Sequence, residues 1–209
     1  DQIMNTPNKL SLLRIILVPF VLLFMLPIHI FSFEPTGWNT FIGTWGRIIA
    51  GGIFVIASLT DMADGKIARK YNLITNLGKF LDSLADKMLV ISVLIALVDI
   101  DRISSVFVII IVIREFMVTG IRLVASEKGV VMAAAMIGKI KTTTQMIAII
   151  YLLFEPLFVM IFEKILPSVS AGPAIYMVGD IAFLISVIMT IISGMDYLIK
   201  NIHYFKENA

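Results

Sequence analysis

The stretch that decides the fold runs from Asp61 to Asp86 and reads DMADGKIARKYNLITNLGKFLDSLAD. Its acidic residues recur every three or four positions, and residues at these intervals share one face of a helix. Two stripes result, made of Asp61, Asp64, Gly65 and Ala68, and of Gly78, Asp82 and Asp86. Because the short segment 71–75 separates them and opens with Tyr-Asn, we predict a helical hairpin whose two acidic stripes face each other.

The chain as a whole is strongly apolar. Of 209 residues, 59% are hydrophobic and 15% are charged, against about 45–50% and about 25% in soluble domains. The composition predicts an all-α integral membrane protein with six transmembrane helices and a short juxtamembrane helix at its N-terminus. The predicted spans are Ile15–Phe33, 47–69, 78–99, 103–125, 140–163 and 175–199. Turn signals separate them, among them Glu34-Pro35-Thr36-Gly37 and the acidic turn Asp99-Ile100-Asp101. The chain has no cysteine, which excludes disulfides and thiolate metal sites, and its net charge of +2 is too small to indicate nucleic-acid binding.

The basic residues predict the orientation, since Lys and Arg are concentrated on the cytoplasmic side of membrane proteins. If the N-terminus is cytoplasmic, most of them fall on that side, and only Arg47, Arg102 and Lys164 lie near the outer side. Both termini are then cytoplasmic. No internal repeat or long linker divides the chain, so we predict one domain over residues 4–205. Residues 1–3 are expected to be remnants of expression before Met4.

Many charges lie inside the predicted spans rather than in loops. Those in the cytoplasmic halves are Asp61, Asp64, Asp82, Asp86, Arg114, Glu115, Arg122 and Lys139. Charged groups in a bilayer are costly and usually face a polar cavity that serves function, so a chamber open to the cytoplasm is expected. For Lys87 and Lys141 the alternative is that the long side chain reaches out to the headgroups.

Four carboxylates that face one another repel strongly in a site of low dielectric constant, unless some are protonated or cations lie among them. Ligands that are all oxygen favour Mg²⁺, Mn²⁺ or Ca²⁺, and such ions are often completed by substrate phosphates. The alternative is that the acids pair with the nearby bases, which are Lys66, Arg69, Lys79 and Lys87. The spacing argues against that pairing because it aligns all four acids on the stripes.

The pattern D-x-x-D-G-x-x-A-R-x8-G-x3-D-x3-D, from Asp61 to Asp86, closely resembles the signature of the CDP-alcohol phosphotransferases. The resemblance implies six transmembrane helices, a homodimer, and two divalent cations, Mg²⁺ or Mn²⁺, between the second and third spans. It also implies that an alcohol displaces CMP from a CDP-activated donor. Ser83 departs from the pattern, where the family has Pro after the third Asp, and this puts the entry of that helix in doubt more than the chemistry.

The resemblance also assigns roles to residues. Asp61, Asp64, Asp82 and Asp86 would hold the metals, and Asp86 would also be the catalytic base on the acceptor hydroxyl. The CDP group would be bound by Asn8, Asp61, Asp64, Gly65, Ala68, Arg69, Gly78 and Asp82.

Three further segments resemble the bacterial phosphatidylglycerophosphate synthases of that family: Asn5–Arg14, Arg114–Arg122 and Gly138–Thr142. This implies CDP-diacylglycerol as donor, glycerol 3-phosphate as acceptor, and an active site on the cytoplasmic side of a bacterial cytoplasmic membrane. The predicted acceptor-phosphate residues are Arg114, Arg122, Lys139, Lys141 and Thr142. Helical geometry agrees in part, since Arg114 and Arg122 fall within about 80° of each other around one helix. The alternative is that Glu115 simply pairs with Arg122.

The sequence leaves alternative functions open. The same chemistry with inositol phosphate or serine as acceptor would use the same hairpin. A cation or proton transporter would use the acids as an ion path, but Met88–Val98, Ile103–Ile113 and Thr142–Phe154 carry no formal charge toward the outer side. A purely structural membrane subunit would leave the carboxylates unexplained.

Overall fold

In the computed structural model of the chain, the structure describes residues 6–28, 35–70, 76–127, 136–167 and 170–201, with the side chains of 6–10, 61–70, 76–83 and 127 left out. Every regular element in these residues is helical. The helices are α1 (Thr6–Met25), α2 (Thr36–Phe41), α3 (Arg47–Lys70), α4 (Asn76–Asp99), α5 (Ser105–Glu127), α6 (Met136–Ile165) and α7 (Gly172–Asn201), with a π-helical turn at Ile42–Gly46. The predicted all-α class is confirmed.

Three helical stretches within the described residues are long and apolar enough to cross a membrane: residues 36–60, α6 and α7. A shorter apolar stretch covers Ser11–Met25. These findings support a membrane protein. The six predicted spans fall on α1, α3, α4, α5, α6 and α7, but the count of six spans stays a prediction.

The N-terminal helix differs from the prediction in two ways. The expected juxtamembrane helix and first span are one continuous helix from Thr6, and it ends at Met25 instead of continuing to Phe33. Pro7 is tolerated because a proline in the first turn lacks an N–H that has no helical partner anyway. Pro27 explains the early end, since proline lacks a backbone donor and disfavours a helical conformation at the preceding residue.

The second span begins earlier than expected. The turn signal at residues 34–37 predicts a loop before position 47, but the helix begins at Thr36, directly after Pro35. It reaches α3 through the π-helical turn. Gly46 allows this path, because a Cβ there would lie 2.0 Å from the carbonyl oxygen of Phe24. The Asn39 side chain joins α2 to the segment that follows α1. Its Oδ1 accepts from the Ile28 N–H at 3.0 Å, and its Nδ2 donates to the Ile28 carbonyl at 3.2 Å.

The chain divides into two compact units. The first contains residues 1–102 and 153–171, and the second contains residues 103–152 and 172–209. In the first unit α1 packs on α3 and α4, around a core that includes Val21, Phe54, Leu94 and Leu97. In the second unit α5 packs on α7, around Val118, Ile121 and Tyr197.

A Schellman motif ends α4 and sets the direction of the following residue. Asp101 adopts the left-handed conformation with φ of 56°. Its N–H bonds to the Val98 carbonyl at 2.9 Å, and the Arg102 N–H bonds to the Leu97 carbonyl at 2.9 Å. These two bonds satisfy carbonyls that the helix end would otherwise leave open. The predicted break after Asp99 is therefore confirmed.

Candidate functional site

The two acidic segments are helical, as predicted, whereas their pairing in a hairpin stays a prediction. Residues 61–70 form the C-terminal end of α3, and residues 76–86 form the N-terminal part of α4. A helical backbone over both segments places positions i, i+3 and i+4 on one face. Residues 71–75 lie outside the described part of the chain.

Most of the predicted metal and nucleotide residues have no described side chain. This applies to Asn8, Asp61, Asp64, Gly65, Ala68, Arg69, Gly78 and Asp82. Asp86 is the exception, and it is exposed on α4, whereas its neighbours Ala85 and Leu89 face the core. No three acidic or histidine side chains among the described residues are grouped to hold a metal ion, and the other three acids of the predicted quartet fall outside that set. The donor set itself, four carboxylates, fits a hard divalent cation.

Two of the predicted acceptor-phosphate residues meet at one carboxylate. Arg114 Nη1 donates to Glu115 Oε1 at 2.9 Å, and Lys141 Nζ donates to the same oxygen. The Lys141 side chain is only 4% exposed, so it lies inside the unit rather than extending outward. Glu115 thus contacts Arg114 and Lys141, which are different bases from the Arg122 partner of the alternative interpretation.

The same arginine also reaches α7. Arg114 Nη2 donates to Ser193 Oγ at 2.6 Å. The next residue, Gly194, lies against the arginine stem, since a Cβ there would be 3.0 Å from Arg114 Cγ. Within the described part of the chain, the Nε of Arg114 is buried and has no hydrogen-bond partner. Arg114 is therefore held at both terminal nitrogens, whereas its buried Nε has no partner among the described residues.

The other three predicted acceptor residues are exposed. Arg122 lies over the ring of Tyr197, with its guanidinium carbon 5.6 Å from the ring centroid. Lys139 and Thr142 are exposed on α6, and the Thr142 hydroxyl donates to the Gly138 carbonyl at 3.0 Å. The predicted set thus divides into a buried pair, Arg114 and Lys141, and three exposed residues.

Sequence reasoning missed the contribution of α7. Ser186, Thr190 and Ser193 recur along this apolar helix at helical spacing and are all buried. The first two hydroxyls bond to carbonyls of their own helix, whereas Ser193 accepts from Arg114. A buried polar stripe on a membrane helix is the signal that would have indicated this contact.

A second charged cluster, in the first unit, was also missed. Glu155 on α6 is fully buried and accepts from Arg47 Nη2 at 2.9 Å. Arg102 makes a bidentate pair with the same carboxylate, through Nε and Nη2, at 2.6 Å each. Gly51, one turn along α3 from Arg47, lets α6 approach, since a Cβ there would be 3.0 Å from the Phe154 ring. The cluster joins the start of α3, the end of α4 and the middle of α6.

Comparisons with known proteins agree with the resemblance in the hairpin. A family model described as CDP-alcohol phosphatidyltransferase matches residues 4–194. A CDP-diacylglycerol–glycerol-3-phosphate 3-phosphatidyltransferase from Bacillus subtilis is 42% identical, over 94% of this chain and 95% of its own length. Proteins of the same name from Rickettsia felis and Shigella flexneri are 34% and 32% identical, and each alignment covers more than 90% of both chains.

Proposed function

Because the chain belongs to the CDP-alcohol phosphatidyltransferase family, we propose that it transfers the phosphatidyl group of CDP-diacylglycerol to glycerol 3-phosphate. The products are phosphatidylglycerophosphate and CMP. The observation that carries this proposal is near-full-length similarity to relatives named for that reaction. The complete sequence pattern from Asp61 to Asp86, at the end of α3 and the start of α4, supports it independently.

Two divalent cations, Mg²⁺ or Mn²⁺, are part of the proposal. Their ligands would be Asp61, Asp64, Asp82 and Asp86, because carboxylates at these helical spacings supply the oxygen ligands that such ions prefer. When bound, the ions would neutralise the diphosphate and stabilise the charge that develops on departing CMP. The cytidine diphosphate would be bound by Asn8, Asp61, Asp64, Gly65, Ala68, Arg69, Gly78 and Asp82.

Asp86 is the proposed base. The carboxylate removes the proton of the acceptor hydroxyl as the oxygen attacks the phosphorus that carries diacylglycerol. A new phosphorus–oxygen bond forms to the acceptor, and the bond from that phosphorus to the bridging oxygen of CMP breaks. The exposure of Asp86 on α4 supports this role, since a base must reach the proton that it abstracts.

The phosphate of the acceptor would be bound by Arg114, Arg122, Lys139, Lys141 and Thr142. The contacts of Arg114 support this assignment, because a guanidinium anchored at two nitrogens holds its further N–H donors in a fixed orientation that suits an anion. Glu115 offsets only part of the positive charge of this set. A phosphorylated acceptor therefore fits better than serine.

The remaining expectations follow from the family and the sequence. We expect one functional domain over residues 4–205, a homodimer, and location in the bacterial cytoplasmic membrane. Six spans would leave both termini and the active site facing the cytoplasm, with the membrane lipid as the source of the donor.

The test is CMP release by the purified protein with CDP-diacylglycerol, Mg²⁺ or Mn²⁺, and one acceptor at a time. Glycerol 3-phosphate is expected to support release, whereas inositol phosphate and serine are not. Release with serine alone would agree with the chemistry of the family and would refute glycerol 3-phosphate as the acceptor. No release with any of these acceptors, together with ion flux in vesicles, would favour a transporter.

A further inference from the structure

We propose that one face of α7, formed by Ser193, Gly194 and Tyr197, positions the two arginines of α5 and thereby sets the preference for a phosphorylated acceptor. This inference rests on the proposed function, because it concerns the residues that would bind the acceptor phosphate. The three α7 residues are positioning residues, since each acts through an arginine.

The α7 face contacts the two arginines in parallel order. Ser193 bonds to Arg114, and Tyr197, one turn further along α7, lies under Arg122. Residues four apart share one face of a helix, so a single surface of α7 serves both arginines. Near the start of α5, Phe107 makes an edge-to-face contact with Phe183 of α7, with ring centroids 6.1 Å apart. The two helices thus also pair in parallel there.

Arg114 is fixed in orientation by contacts on two helices. Glu115 accepts from Nη1 and Ser193 accepts from Nη2, so the guanidinium plane cannot rotate without losing a bond. Gly194 leaves the space that the arginine stem occupies. This arrangement fixes the orientation of the guanidinium and of its other N–H groups, and fixed donors bind an anion better than mobile ones.

Arg122 is exposed, and the Tyr197 ring restricts its motion. An exposed arginine samples many rotamers, and ordering it on binding reduces affinity. Tyr197 is only 6% exposed and packs with Val118 and Ile121, so the ring is a rigid platform. Stacking of a guanidinium on such a ring favours one orientation of its planar fork.

The consequence is specific to the acceptor. Loss of the Ser193 or Tyr197 contact would misplace a group that binds the acceptor phosphate, whereas the predicted CDP-binding residues lie on α1, α3 and α4 in the other unit. The Michaelis constant for glycerol 3-phosphate is therefore expected to rise while that for CDP-diacylglycerol stays nearly constant. A merely structural role would lower stability and turnover and change both constants together.

The test compares Ser193→Ala and Tyr197→Leu with matched controls. Ser193→Ala is expected to raise the constant for glycerol 3-phosphate about tenfold, as for the loss of a hydrogen bond to a charged group. Tyr197→Leu is expected to raise it about threefold, as for the loss of a cation–π contact at an exposed arginine. Ser186→Ala removes a buried hydroxyl that bonds within α7, so its constant should stay near the wild-type value.

A third variant disturbs the position of Arg114 without removing a polar group. Gly194→Ala adds a Cβ against Arg114, whereas Gly120→Ala on α5 meets nothing within 4 Å. The first is expected to raise the constant for glycerol 3-phosphate, and the second is not. Unchanged constants in Ser193→Ala and Tyr197→Leu, or equal changes for both substrates, would overturn the inference. If the wild type released no CMP with glycerol 3-phosphate, the proposed function would fail first and the inference with it.

Discussion

The buried cluster around Glu155 yields the largest stability effect that we predict. Glu155 has no exposed surface and accepts three bonds from Arg47 and Arg102. Glu155→Ala leaves two guanidinium groups largely buried without that carboxylate, and breaking a buried ion pair in this way costs about 3–5 kcal/mol. For a chain of this length, about 2–4 °C per kcal/mol corresponds to a fall in the melting temperature of about 6–20 °C. Circular dichroism of the purified protein in mild detergent measures this fall in the melting temperature.

Two controls separate the cluster from general effects of substitution. Glu163→Gln changes an exposed carboxylate on the same helix and is expected to shift the melting temperature by less than about 2 °C. The triple variant Arg47→Met, Arg102→Leu and Glu155→Leu replaces the whole cluster with apolar side chains, and such replacements are often neutral. It is expected to recover most of the lost stability. A shift below about 2 °C for Glu155→Ala would refute the reasoning.

Three further predictions concern single positions. Asp101→Gly should stabilise the fold by about 1 kcal/mol, because glycine adopts the left-handed conformation at φ of 56° without steric cost. The melting temperature should therefore rise, and a lower melting temperature would contradict this. Gly46→Ala should strongly reduce the yield of folded protein, since its Cβ would lie 2.0 Å from the Phe24 carbonyl oxygen, whereas Gly43→Ala meets nothing within 4 Å; equal yields on size-exclusion chromatography would refute the close approach. Asp86→Asn should lower the rate of CMP release by about 10² or more while CDP-diacylglycerol still binds, and near-normal turnover would exclude Asp86 as the base.

The helices α4 to α7 were predictable because their signals are local. Apolar runs and turn signals place α4 to α7 within a few residues of their observed bounds, and the break after Asp99 is where the acidic turn predicts it. The helical state of the two acidic segments was predictable for a similar reason, since spacings of three and four residues bring side chains to one face of a helix. Hydropathy alone placed the end of the first span too late, because Pro27 breaks the helix within an apolar run.

Contacts between distant segments were not predictable. Glu155 lies 108 residues from Arg47 and 53 from Arg102, and no local pattern links positions so far apart. The same is true of Ser193, which meets Arg114 across 79 residues. The π-helical turn was missed because it depends on the close approach of Phe24 to Gly46, which is a tertiary contact. Local sequence thus indicates the elements and the motif, whereas the partners of buried charges require the fold.

In the proposed reaction, the hydroxyl of glycerol 3-phosphate attacks the phosphorus that carries diacylglycerol. The most direct measurement is mass spectrometry of the products after reaction with glycerol 3-phosphate labelled with ¹⁸O in its primary hydroxyl. The label is expected entirely in a lipid with the mass of phosphatidylglycerophosphate, and the nucleotide product is expected to be unlabelled CMP. A labelled nucleotide product would mean attack on the other phosphorus of the diphosphate, and the absence of labelled lipid would contradict phosphatidyl transfer to this acceptor.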